Sequence, residues 1–167
     1  MTLMSRIATL ALAATTSLLV VTQVHARSDA SFLKEAAEAG GAEVEASKLA
    51  QSKAQRADVK AFAGTMVTEH SQLADELKQL AAAKKVELPS GPTLVQKSKL
   101  KLIDSGDDAK FDERYVKSFG VKAHEDTIKL FEEASRDAKD PEVKAFAQKA
   151  LPSLQHHLDM ARALTTK

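Results

Sequence analysis

The 167-residue chain has no cysteine and no tryptophan, one tyrosine, six phenylalanines, six glycines and four prolines. Each scarcity excludes something. Without cysteine there is no disulfide framework, thiol nucleophile, thiolate metal ligand or site for a lipid anchor. With few aromatics and glycines, and apolar residues that are mostly Ala and Leu, the composition favours helices over strands. A surplus of one charge is also missing. The 24 Lys and Arg face 23 Asp and Glu, which argues against nucleic acid or an anionic membrane as the main partner.

One long apolar run is present. Arg6 precedes a stretch from Ile7 to Val21, about the length of a signal-peptide core and too short to span a bilayer comfortably. Val24-His25-Ala26 follows as a small-x-small pattern, so residues 1–26 are expected to be a signal peptide cleaved after Ala26. The alternative is an uncleaved N-terminal anchor. The leader holds one Arg and no acid, so residues 27–167 carry 23 charges of each sign over the length of one domain. No second run is long enough for a transmembrane helix, and a periplasmic location is expected.

Apolar spacing predicts four long helices. The first runs from about Asp29 to Gln55, with Phe32, Ala36, Ala39, Ala46 and Ala50 on one face and a gap at Glu43. Gly40-Gly41 lies inside it and should weaken it, predicting a kink or a close neighbour. The second, from about Ala57 to Lys85, has a seam of Val59, Phe62, Met66, His70, Leu73, Leu77 and Leu80. Pro89, Gly91 and Pro92 end it and open a connection over about 86–107, in which Thr93 to Ile103 suits a short helix. Lys97, Lys99 and Lys101 in that connection read as a solvated segment. The third helix runs from about Asp108 to Ala138, with Phe119, Ala123, His124, Ile128 and Phe131 on its dry arc. The fourth opens with Asp140 as N-cap and Pro141 at the first helical position. Its seam is Val143, Ala147, Ala150, Leu154, His157, Ala161 and Leu164, and Pro152 inside it predicts a kink or an interrupted turn.

Val59-Lys60-Ala61-Phe62-Ala63 recurs word for word as Val143-Lys144-Ala145-Phe146-Ala147. Two related helical hairpins joined by the long connection account for this, and the expected fold is all-α, an antiparallel four-helix bundle.

Each expected helix carries one titratable group on its dry face: Glu43, His70, His124 and His157. His156 points to the flank. Glu43 lies 14 residues before Ala57 and His70 lies 13 after it; His124 lies 17 before Pro141 and His157 lies 16 after it. Within each hairpin the pair therefore sits at nearly one level. Between hairpins, an up-down bundle separates the pairs by about 4.5 Å along the axis, and a crossover after the second helix brings them closer still. Three imidazoles and a carboxylate form a suitable set of ligands for a single zinc, copper or iron ion. Met66, one turn before His70, is a possible extra ligand that would favour copper. The competing reading is a polar network in which Glu43 hydrogen-bonds one or two histidines.

These residues lie in motifs that resemble a bacterial exported family, domain of unknown function 4142. The motifs are Gly40-Gly41-Ala42-Glu43-Val44-Glu45, Met66-Val67-Thr68-Glu69-His70, Phe111-Asp112-Glu113-Arg114-Tyr115-Val116, Ala123-His124 and Leu151-Pro152-Ser153-Leu154-Gln155-His156-His157-Leu158. The resemblance implies a ferritin-like bundle in the cell envelope and implies no activity. Di-iron bundles of that fold use Glu-x-x-His on two helices. Here Val67, Val121 and Leu154 stand three residues before the histidines, which argues against a di-iron oxidase. Asp112 and Tyr115 match the family pattern and read as helix-start and core-packing residues. No nucleophile elbow or phosphate-cradling loop is present, so an enzyme is the least favoured reading. The alternative to metal binding is a structural or stress-related envelope protein that meets an unidentified partner.

Overall fold

A computed structural model describes residues 27–166. The expected signal peptide and its cleavage point after Ala26 lie outside the described residues. Among those described, the chain is all-helical and no helix is long and apolar enough to cross a membrane.

Helix α1 spans Asp29–Lys53 and starts at Ser28, whose hydroxyl accepts from Ser31 N. Helix α2 spans Ala57–Ala83 and stops two residues earlier than its periodicity suggests. Lys85 adopts a positive φ of 56°, and Val86 N and Lys85 N return to the carbonyls of Ala81 and Ala82, a Schellman closure. Helix α3, Leu94–Asp104, is the short helix expected in the connection, opened by a capping box between Thr93 and Gln96. Its lysines are exposed as expected, and so are Leu94, Val95 and Leu102.

The third long stretch departs from expectation. A short 3₁₀ turn at Asp108–Lys110 leads into α4 (Phe111–Tyr115), then a π-helical segment (Val116–Ala123), then α5 (His124–Asp137), without a break. Helix α6, Pro141–Thr165, begins at the expected N-cap, where Asp140 accepts from Glu142 N and Val143 N. It runs through Pro152 as one element, so the interrupted turn is not found. Gly40 and Gly41 likewise leave α1 continuous. A Cβ at Gly40 would meet nothing within 4 Å, and one at Gly41 would meet only Pro92 at 4.0 Å.

Two apolar clusters fill the interior. One gathers Phe32 and Leu33 from the start of α1, Leu77 and Ala81 from the end of α2, Phe131 and Ala134 from α5, and Val143 and Phe146 from the start of α6. The other gathers Ala46 and Ala50 from the end of α1, Val59 and Phe62 from the start of α2, Phe111 and Tyr115 from α4, and Ala161 and Leu164 from the end of α6. The α1–α2 turn and the α5–α6 turn therefore lie at opposite ends. Residues 84–110 return along the length of the molecule, with α3 packed on α1. Consequently α2 runs parallel to α4–α5, and α1 runs parallel to α6.

The turns are tied across hairpins. Asp112, at the start of α4, accepts from Gln55 N (3.0 Å) and Arg56 N (2.8 Å), at the entry to α2. Asp29, at the start of α1, accepts from Lys139 N (3.1 Å) and Asp140 N (2.8 Å), at the entry to α6. These bonds satisfy amide hydrogens that the helix starts leave without intrahelical partners.

Candidate metal centre

Between the two apolar clusters lies one polar layer. Glu43, His70, His124 and His157, the four residues that interrupt the dry faces in sequence, are each no more than 2% exposed and meet there. The imidazole centroids stand 5.1 to 5.5 Å apart. Each ring offers a nitrogen, and the three lie within 4.8 Å of one another. His156 is exposed on the flank as expected. Met66 is buried and packs in the apolar cluster with Val59 and Phe62.

The outer nitrogens have defined partners. His70 Nδ1 lies 3.0 Å from Glu43 Oε2. His124 Nδ1 donates to the Phe119 carbonyl at 2.9 Å. His157 Nε2 lies 2.7 Å from Glu69 Oε2, with Ser153 Oγ at 3.3 Å. A carboxylate and a carbonyl only accept, so each of these outer nitrogens carries the hydrogen. That leaves His70 Nε2, His124 Nε2 and His157 Nδ1. The first two face each other at 3.2 Å, and the third is buried without a hydrogen-bond partner, as is Glu43 Oε2, which His70 Nδ1 approaches at 3.0 Å outside hydrogen-bond geometry. An unpartnered buried nitrogen costs about 1–3 kcal/mol unless something occupies it.

The layer's charges follow from burial and pairing. Burial pushes the Glu43 carboxyl up, but the charges of His70 and His124 and bonds from His70 and Thr127 outweigh it and hold the group at about 2. Burial works against a charge on His70, and Glu43 overcomes it and raises that imidazole. For His124, burial prevails over Glu43 and lowers it. For His157, burial and the neighbouring imidazoles prevail over Glu69 and lower it to about 4. The layer thus favours a negative Glu43 beside two neutral imidazoles.

Three members were not singled out from sequence. Thr127 donates to Glu43 Oε1 at 3.2 Å; its place three residues after His124, on the same helix face, was a usable signal. Glu69 stands one residue off the α2 seam, and only the packing of α6 brings His157 to it. The Phe119 carbonyl reaches His124 because the π-helical segment widens the helix there. In an α-helix that oxygen would accept from the backbone four residues on.

Two clefts approach the layer from opposite sides. One of about 330 Å³, between α1, α3 and α5, reaches Glu43, Phe119 and Thr127. The other, of about 380 Å³ between α2 and α6, is lined by Glu69, His70, Ser153 and His157 among others.

The family model described as "Domain of unknown function (DUF4142)" matches residues 14–164, and the chain belongs to that family. No curated protein and no solved structure matches the chain.

Proposed function

We propose that this chain is an exported periplasmic four-helix bundle of ferritin-like connection that holds one transition-metal ion, zinc, copper or iron(II), in its core. The ligands are His70 Nε2, His124 Nε2 and His157 Nδ1. One observation carries the reading: the outer nitrogen of each imidazole lies within 3.0 Å of a different oxygen, on Glu43, the Phe119 carbonyl or Glu69, and all three inner nitrogens converge. That is the arrangement by which proteins orient metal-binding histidines. Glu43 then stands behind His70, its Oε2 3.0 Å from Nδ1, instead of joining the ligands, and Met66 stays in the apolar core. Two carboxylates, Glu43 and Glu69, balance a divalent charge. Three nitrogens leave room for a fourth donor, so a bound ion would supply a Lewis-acid centre.

The crossover between α2 and α4 supports the ferritin-like reading, and the apolar run before residue 27 supports export. The donor set fits one His-rich ion and does not fit a di-iron centre, because no acid stands three residues before any of the three histidines.

The test is a titration of the purified chain, residues 27–167, with zinc or copper. The expected result is one ion per chain. At a hundredfold excess over Kd, stability rises by about 2.7 kcal/mol, or roughly 8 °C in melting temperature for a domain of this size. An unmoved melting point, together with equal metal content in His124→Ala, defeats the reading. A structural or stress-related envelope role then stands. The hydrogen bond from Thr127 to Glu43 Oε1 at 3.2 Å and the 2.7 Å bond between His157 and Glu69 favour that second reading, since they satisfy part of the layer internally.

A further inference from the structure

We infer that the cleft between α2 and α6 is the way into the centre and that Glu69 is the residue that admits the ion. This rests on the metal reading above and adds a route and a positioning residue to it. The two clefts differ in what they reach. The α1/α3/α5 cleft ends at Glu43, Phe119 and Thr127, groups that stand behind His70 and His124. The α2/α6 cleft is lined by His70 and His157 themselves, two of the three ligands.

Glu69 lines the second cleft. Its Oε2 is 2.7 Å from His157 Nε2 and accepts from Ser153 Oγ at 3.0 Å, yet its side chain is 41% exposed. Glu43 makes the matching contact with His70 while only 3% exposed. One carboxylate is thus sealed in, and the other faces water and ligand at once. Glu76, the other acid in this cleft, is bound at both oxygens by Lys149 Nζ (2.9 Å each), so its charge is compensated. A hydrated divalent cation entering the cleft therefore meets Glu69 as the nearest uncompensated negative charge. Its oxygen would be the first protein donor to such an ion on the way to the nitrogens.

Glu69 has two separable effects. Its charge attracts the cation, and its oxygen fixes the His157 tautomer. Glu69→Gln removes the charge and keeps an amide oxygen able to accept from Nε2; Glu69→Ala removes both. Cobalt(II), whose visible absorption reports nitrogen ligation, is the probe, mixed with the purified chain by stopped flow. For Glu69→Gln we expect one ion bound at equilibrium, an association rate about tenfold lower, and a weaker dependence of that rate on ionic strength. For Glu69→Ala we expect an additional loss of affinity, of about 10- to 100-fold. Glu38→Gln, on the rim of the opposite cleft, should load at the wild-type rate.

A wild-type association rate in Glu69→Gln, or slowing in Glu38→Gln instead, overturns the route while leaving the centre intact. Failure of the wild-type protein to bind cobalt at all overturns the metal reading with it.

Discussion

The two hairpins share a plan and differ by one residue. Asp29 stands 28 residues before Ala57, whereas Asp112 stands 29 before Pro141. Both aspartates perform the same task, holding the turn of the opposite hairpin. The repeated Val-Lys-Ala-Phe-Ala segments bury the same positions: Val59, Phe62 and Ala63 in one, Val143, Phe146 and Ala147 in the other. Residues 84 apart meet across the layer, Thr127 on Glu43 and Ser153 on Glu69. The extra residue is taken up in the π-helical segment, since a π turn holds more residues than an α turn. That segment directs a carbonyl to His124. The lesson is that near-symmetry built the scaffold and a single-residue departure from it oriented one imidazole.

The strongest way to test the equivalence is to empty it. Phe62→Ala and Phe146→Ala should each cost about 3–5 kcal/mol in chemical denaturation. A cost confined to one of them would deny the shared plan.

Glycines separate the hairpins next. At Gly120, in the π-helical segment, a Cβ would lie 3.0 Å from Ala161 Cβ and 3.4 Å from Phe62 Cε1. Gly120→Ala should lose about 1–3 kcal/mol through overpacking. Gly40→Ala, in open space on α1, should gain about 0.5–1 kcal/mol by removing the flexibility of glycine. Thermal melts of both variants check the opposite signs.

The reciprocal caps come third. Asp112→Ala and Asp29→Ala should each lose about 1 kcal/mol, since each leaves two amide hydrogens without their acceptor. A difference of more than about 1 kcal/mol between them would show that one turn leans on something else.

Acid and base should act on different members of the layer in the metal-free protein. His124 and His157 are lowered below 6.5, so the stability they contribute is present above that pH and is lost as pH falls, for His157 through about 4. Glu43, held at about 2, contributes above 4.5 and is lost between there and about 2. His70 is raised, so its contribution is complete below 6.5 and disappears as pH rises through its higher value. Stability should peak near pH 6.5. On either side it should fall by at most about 1.4 kcal/mol per pH unit for each proton by which the folded and unfolded chains differ. Denaturant midpoints between pH 4 and 9 check this, and a flat acid limb would contradict the buried, neutral imidazoles.

Glu43, His70, His124 and His157 were legible in sequence because each breaks an apolar series, and a polar residue on a dry face must meet another. Counting from the turns also placed them at similar heights. The direction of the connection was not legible, because a 22-residue linker permits either topology. Nor was the π-helical segment, since Val116–Ala123 has the apolar spacing of an ordinary helix and its surplus residue shows only against the other hairpin. Glu69 escaped for a related reason. A position 100° off the seam reads as solvated until a neighbouring helix supplies its partner.

The chain has no covalent cross-link, and the histidine layer is where a reversible one could form. His70 and His124 are 54 residues apart, and His124 and His157 are 33 apart. An ion clamping all three would close two loops and narrow the unfolded ensemble, as a pair of disulfides does. Unlike a disulfide, this clamp would loosen under a chelator and needs no oxidant, so the heat resistance of the protein would track how much metal its compartment supplies.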